Sequence, residues 1–430
     1  MEKSLRIEKL NEIKKQTPYM TGIRIRYKGE IKEFDAYKIP LEYLIYNKYN
    51  GRIGSSVKSY EKQYHEIDPE DSDHKKIIEK FLWDSKKDRN KMTEQNLVEN
   101  GQKRHGIVTA DGIIIDGNRR SMLLNRIYAE RENWQKKGTN VDNCKFFISV
   151  ILPEDADPKE IQRLETTYQM GEDEKLDYNP VEKYLKIKDL LGYGFSSSDI
   201  ASMMLENERQ IKEWIEIMNL MDQYLEYLHY DGIYTRLDKT EGPLVDLNNY
   251  IKRYQNGSQF VGWDYDEMDL NEMMLLSFDY IRARYEGKDF RTIAKPSRKE
   301  SIFCKSEELW NSFLKDHKET IRELPEEAVE ELRAEHSTED ISKLLRSRDE
   351  DWKKEVAPIL KGNLDKAENR LKDLNDANQP LELAKKALNA LESVNTEIEE
   401  FFKSKEVLDV LQQINKCSLE YMNTINNHKH

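Results

Sequence analysis

The spacing of apolar and polar positions divides the chain into two regimes. Over residues 4–15, Leu5, Ile7, Leu10 and Ile13 recur at roughly helical spacing and predict a short amphipathic helix. Residues 22–28 (GIRIRYK) and 31–39 (IKEFDAYKI) alternate with period two on either side of a Gly29-Glu30 turn, the pattern of a β-hairpin. Residues 57–104 are densely charged. Within them IIEKFLW (77–83) and MTEQNLVENG (92–101) are helix candidates, the second stopped by Gly101. GIVTADGIIID (106–116) predicts a second hairpin with a tight turn at Ala110-Asp111-Gly112. A helix then follows Arg120 to about residue 136, and KFFISVIL (145–152) reads as a strand bounded by Pro153.

From about residue 158 onward the spacing is almost entirely helical. In NPVEKYLKIKDLL, Asn179 is the expected N-cap and Pro180 the first helical residue. GYGFSSSDIASMML and NERQIKEWIEIMNLM then follow with a helix-turn-helix rhythm, in which Trp214, Ile215 and Met218 read as core. Residues 230–300 carry a weaker pattern. In the charged tail, Leu364, Ala367, Leu371 and Leu374 follow heptad-like spacing, and Pro380 is expected to break that helix. Leu388, Leu391, Val394 and Ile398, then Leu408, Leu411 and Ile414, resume the pattern as an antiparallel bundle or short coiled coil. The predicted class is α+β. A small mixed-sheet domain spans 1–157, a helix-turn-helix domain 158–235, a helical connector 236–300 and a C-terminal bundle or coiled coil 301–430.

Charge narrows the range of partners. The 430 residues carry 69 basic and 82 acidic side chains, a net charge of -13. That opposes a generic basic coat for nucleic acid, whose backbone affinity is mostly electrostatic, and leaves room for a local basic site. Cys144, Cys304 and Cys417 are far apart and form no C-x-x-C pair, so neither a zinc site nor a disulfide framework is indicated. The charged N-terminus does not read as a signal peptide, and no apolar run approaches the roughly 18 residues needed to span a membrane. A cytoplasmic, reducing location is expected.

The strongest chemical signal is IIIDGNRRSMLLNRI (113–127), where an apolar strand ends at Asp116-Gly117 and a helix opens on Arg119 and Arg120. The first N–H groups of a helix favour an anion. Gly117 lets another group approach the backbone, Asn118 can cap the helix, and the arginines add charge-assisted donors. Arginines in a first turn oppose the helix dipole unless an anion is present. A di- or triphosphate or a DNA phosphate suits this turn. The alternative is a surface helix start whose arginines pair with local carboxylates. His65, Asp68, Glu70, Asp71, Asp73 and His74 are of metal-ligand types but match no defined loop spacing, and read as a solvated acidic segment. His105, just before the first strand of the second hairpin, could reach the phosphate site or be structural. No Walker A, Ser-His-Asp or H-E-x-x-H pattern is present.

IDGNRRSMLLNRI resembles the D-G-x-[RH]-R signature of the ParB/sulfiredoxin fold. IPLEYLIYNKYNGRI (39–53) is similar to an early ParB segment whose arginine belongs to the nucleotide site, with Arg52 as the match. LETTYQMGEDEKLDYNPVEKYLKIKDLL resembles the third ParB nucleotide motif, matching Glu165 and Asn179-Pro180-x-Glu182. The helix-turn-helix follows in the family's order. The resemblance covers about residues 36–228. It implies a nucleoside triphosphate, CTP or ATP, with Mg²⁺. Asp116, Gly117, Asn118, Arg119 and Arg120 would bind its phosphates, with Arg52, Asn179 and Glu182 completing the site. Glu165 would ligate the metal, and Glu165 and Arg119 would be the catalytic residues if hydrolysis occurs. Glu42 or Glu61 could serve phosphoryl transfer.

The chain departs from the pattern in four places. The loop lacks sulfiredoxin's cysteine, Thr166 stands where ParB proteins carry asparagine, the spacer 166–177 is longer, and a charged stretch of about 40 residues between Arg52 and the helix at 92–101 reads as an inserted lid or interaction element. DNA, a second copy of the chain or a partner protein on the C-terminal helices are the implied partners. Mobile-element or phage-defence systems are the implied setting. The rival readings are a DNA nuclease on the same phosphate site, a free-amino-acid kinase, and a non-catalytic adaptor assembling through its tail.

Overall fold

The computed structural model describes residues 1–171, 179–257, 259–322, 326–336 and 341–427. It divides into two compact units, Met1–Leu364 and Asp365–His430.

The first unit opens with helix α1 (Lys3–Lys14), then β1 (Met20–Tyr27) and β2 (Glu30–Pro40). α2 (Gly54–Gln63), α3 (Ser72–Asp84) and α4 (Lys87–Asn100) precede the short hairpin β3 (Gly106–Val108) and β4 (Ile114–Asp116). α5 (Asn118–Ala129), α6 (Arg131–Lys136) and β5 (Phe146–Ile151) follow. The strands form one mixed sheet in the order β1-β2-β5-β3-β4, in which only the β3–β5 pair is parallel.

Side-chain alternation explains why KFFISVIL is almost wholly apolar. Successive residues of a strand point to opposite faces of the sheet. Phe147 and Ile151 face a core with Leu10, Ile39, Leu82, Leu123 and Ile127. Ile148 and Val150 face a second core with Ile25, Ala36, Ile107 and Leu164. A strand covered on both faces loses the alternating polar positions of a half-exposed one.

Helices dominate from residue 158. α7 (Pro158–Thr166) is capped by Asp157, whose carboxylate accepts the Glu160 N–H at 2.7 Å, and runs into a π-helical turn at Thr167–Gly171. Residues 172–178, in the long spacer, lie outside the described residues. α8 (Pro180–Gly192) has Asn179 as its N-cap and Pro180 in its first turn, as expected. α9 (Ser197–Met204) starts on a reciprocal Ser196–Asp199 cap, and α10 (Glu208–Tyr227) follows after the turn at 205–207. Ile211 and Met218 are buried and Trp214 and Ile215 partly so, in keeping with a packing role.

α11 (Glu241–Gln255), α12 (Glu267–Arg282), α13 (Gly287–Ala294), α14 (Ile302–Lys305), α15 (Glu307–His317) and α16 (Val329–Glu335) follow. The weakly patterned stretch 230–300 is thus helical too. Its helices bury Leu244, Leu276, Phe278 and Ile293, so apolar spacing there is interrupted by buried polar groups such as Asp279 and Arg282.

α17 runs Ile341–Glu392 without a break, which corrects the expectation that Pro380 ends it. An internal proline removes one backbone hydrogen bond, and several helical turns on either side can carry the helix past it. α18 (Glu399–Lys403) and α19 (Lys405–Asn427) belong to the second unit, in which α19 has no buried residue. No helix among the described residues is long and apolar enough to cross a membrane.

Candidate functional site

The sequence motifs meet in a chain of buried polar contacts. Asn118, only 2% exposed, accepts the Asn47 N–H at 2.9 Å and donates its amide to the Ile114 carbonyl at 2.9 Å. It therefore stitches the start of β4 to the segment before Arg52. Gly117, not Asn118, occupies the N-cap of α5, which corrects the capping expectation. Asn47 in turn donates to Glu165 Oε2 at 3.2 Å. Glu165 Oε1 accepts the Gly51 N–H at 3.2 Å, and Lys186 Nζ donates to Glu165 Oε2 at 2.9 Å and to Gln162 Oε1 at 2.7 Å.

Glu165 is fully buried and Lys186 nearly so. Burial pushes the Glu165 carboxyl above its ordinary range, while Lys186, the Gly51 N–H and Asn47 pull it back. This environment does not fit the expected Mg²⁺ ligand. Both oxygens already accept protein donors, one of them an ammonium cation. Among the described residues no three His, Cys, Asp or Glu side chains are grouped to hold a metal. The acidic segment 65–74 is no exception. Asp71 caps α3, Glu70 pairs with Arg6, and His65 Nε2 meets His74 Nε2 at 2.8 Å.

The 116–120 turn is braced from within. Arg120 Nη2 bonds Asp116 Oδ2 at 2.7 Å, and its Nη1 donates to the carbonyls of Arg104 and His105. The guanidinium that was expected to hold phosphate thus finds its acceptors inside the protein. Burial and the neighbouring Arg120 hold the His105 pKa below its ordinary value. Gly117 has φ 104°, and a Cβ there would stand 2.5 Å from Phe147 Cζ. The close approach that demands glycine is made by this ring. Arg119 is half-buried at the second position of α5.

Arg52, Asn179 and Glu182 come together elsewhere. They line one cleft of about 700 Å³, along with Ser55 and Ser56 at the start of α2 and the basic side chains of Lys80, Lys86 and Arg346. The residues of the 116–120 turn are not part of its lining. Glu182 supplies what α2 lacks, a side chain on its first N–H groups. Ser55 donates its N–H to Glu182 Oε2 at 3.1 Å and its hydroxyl to Oε1 at 2.5 Å. A helix N-terminus stabilises a nearby negative charge. Even so, burial dominates and raises the Glu182 carboxyl from 4.5 to about 7, with the Ser55 contacts opposing the shift.

Glu61 does not enter the cleft either; it pairs with Lys48 at 3.0 Å. Sequence reasoning missed Asn47, Ser55, Gln162 and Lys186. A signal for two of them existed. Gln162, Glu165 and Gln169 share one face of α7 and its extension, and Glu182, Lys186 and Asp189 share one face of α8. No protein-family model matches this chain, and no curated protein matches it.

Proposed function

We propose that the protein is a ParB-like nucleotide-binding protein whose nucleoside triphosphate, CTP or ATP, occupies the cleft at the start of α2. The observation that carries this reading is the joint presence of Arg52, Asn179 and Glu182, from two distant segments, in one cleft of about 700 Å³. That size suits a small-molecule ligand. In this reading Arg52, with Lys80, Lys86 and Arg346 of the same lining, receives phosphate, and Asn179 and Glu182 face the sugar. The bonds from Asn118 through Asn47 to Glu165 and Gly51 support the reading, because they bind the motif segments into one buried unit. Mg²⁺ would arrive on the triphosphate and not on Glu165.

DNA association through α9 and α10 belongs to the same proposal. Its support is weaker, since Lys212 is paired with Glu208 at 2.7 Å on the helix expected to read the groove. A thermal-shift titration with CTP and ATP tests the proposal. A ligand that binds only the folded state raises the melting temperature with concentration. A rise for either nucleotide that disappears in Arg52→Ala supports it, and the absence of any rise counts against it.

One observation favours a second reading, that of an adaptor. α19 exposes Leu408, Val410, Ile414, Met422 and Ile425, an apolar surface of the kind that marks protein contacts. Self-association of the full chain, independent of nucleotide, is its expected signature in sedimentation.

A further inference from the structure

A second cleft of about 530 Å³ adjoins the first. Thr235, Asp238 and Arg346 line both. The second adds Lys239, Arg284 and Lys353 to the basic side chains of the first. The two linings together hold nine Lys and Arg side chains against six Asp and Glu, a local reversal of sign in a chain of net charge -13. Lys80, Lys86, Lys239, Arg346 and Lys353 make no ion pair among the described residues, so their charge faces the clefts and solvent uncompensated by a partner.

Two further features lie where the clefts join. The Thr235 hydroxyl and Arg236 Nε are buried and have no hydrogen-bond partner. A buried polar group without a partner costs free energy that an incoming acceptor can recover. The hydroxyl and the guanidinium N–H are both donors suited to a phosphate oxygen. On the rim of the second cleft, Lys239 and Arg284 hold φ of 62° and 70°, the left-handed region that non-glycine residues rarely adopt. Arg284 follows the last turn of α12 at a position where glycine is the usual choice, its N–H bonded to the Ile281 carbonyl. Aromatic rings flank the track, with Tyr64 in the first cleft and Tyr285 in the second.

We infer that the two clefts form a continuous track for single-stranded nucleic acid, with phosphates along Arg346, Lys353, Lys239 and Arg284 and bases against the tyrosines. Cations that follow a backbone, interleaved with aromatic faces, are the general solution for binding an unpaired strand. The track is separate from α9 and α10, and it shares the first cleft with the proposed nucleotide site, so a bound strand and a nucleotide compete there.

The test is fluorescence anisotropy of a labelled short oligothymidine with the full chain, at salt from about 50 to about 200 mM. Binding is expected at low salt. The double variant Arg346→Glu, Lys353→Glu should weaken it at least about tenfold and reduce the slope of log K against log salt by about 1.4, the value for two lost contacts on a single strand. Arg284→Gly should weaken binding while raising the melting temperature, because it relieves the left-handed strain. A merely unfolded variant could not do both. The charge reversal Arg209→Glu on α10 should leave binding unchanged. No binding at low salt, full binding by the Arg346, Lys353 variant, or loss only in Arg209→Glu would each overturn the inference. Duplex bound in preference to the single strand would overturn it as well.

Discussion

Glu182, in the first turn of α8, holds the start of α2 through Ser55, whose hydroxyl and N–H both donate to its carboxylate. This contact joins two segments that lie 127 residues apart. It also sets the charge at the mouth of the proposed nucleotide cleft.

The burial of this carboxyl, against which the Ser55 contacts act, makes stability depend on pH. The folded carboxyl titrates at about 7 against an ordinary 4.5. The native state therefore keeps a proton that the unfolded chain releases. The stabilisation is full below about pH 4.5 and is lost as pH rises through 7, a span of about 3 kcal/mol. Glu182→Gln should remove that slope in urea denaturation and leave the variant more stable than wild type at pH 8. An unchanged slope would place the titrating group elsewhere.

The Glu165–Lys186 pair should behave as a buried ion pair. Lys186→Met leaves a buried carboxylate without its cation and is expected to cost about 3–5 kcal/mol. Adding Glu165→Gln should recover most of the loss, because the pair is coupled. Chemical denaturation of the two single variants and the double variant measures the coupling. Additive losses would mean that the two side chains act independently.

Gly117→Ala should destabilise by about 2–4 kcal/mol, combining left-handed backbone strain with a clash against the Phe147 ring. Phe147→Leu in the same chain should reduce the added cost of the alanine. If Gly117→Ala has the same cost in both backgrounds, the ring is not what requires the glycine.

Arg120 and Arg119 should separate the 116–120 turn from the cleft. Arg120→Ala removes the bonds to Asp116 and to two carbonyls and should lower stability by about 1–3 kcal/mol. Arg119→Ala should leave affinity for a nucleotide in the cleft unchanged, because the turn does not line it. Melting curves and titrations of both variants check the two outcomes. A nucleotide affinity weakened by Arg119→Ala would place the ligand at the turn instead of the cleft.

What the sequence made legible was local. The hairpins, the Asn179-Pro180 helix start and the stop at Gly101 follow from residues within a few positions of one another, and they stand, with the first hairpin's turn one residue earlier, at Lys28-Gly29. At Arg120 the alternative reading holds: the guanidinium pairs with a local carboxylate, Asp116, four residues before it, a spacing visible in the sequence. Other relationships had no local signal. Lys186 meets Glu165 across two helices, and Arg6, buried on α1, bonds the Asp111 carbonyl 105 residues away. The ring against Gly117 comes from β5, so the sequence showed the need for glycine but not its cause.

The most direct test of the central claim is calorimetric titration of the full chain with CTP and with ATP, in the presence of Mg²⁺, alongside Arg52→Ala and Glu165→Gln. The account predicts saturable binding of at least one nucleotide that Arg52→Ala abolishes. It also predicts that the same nucleotide retains its Mg²⁺ dependence in Glu165→Gln, because Glu165 is held by Lys186 and is not a metal ligand. Absence of heat for both nucleotides, or equal affinity in wild type and Arg52→Ala, would contradict it.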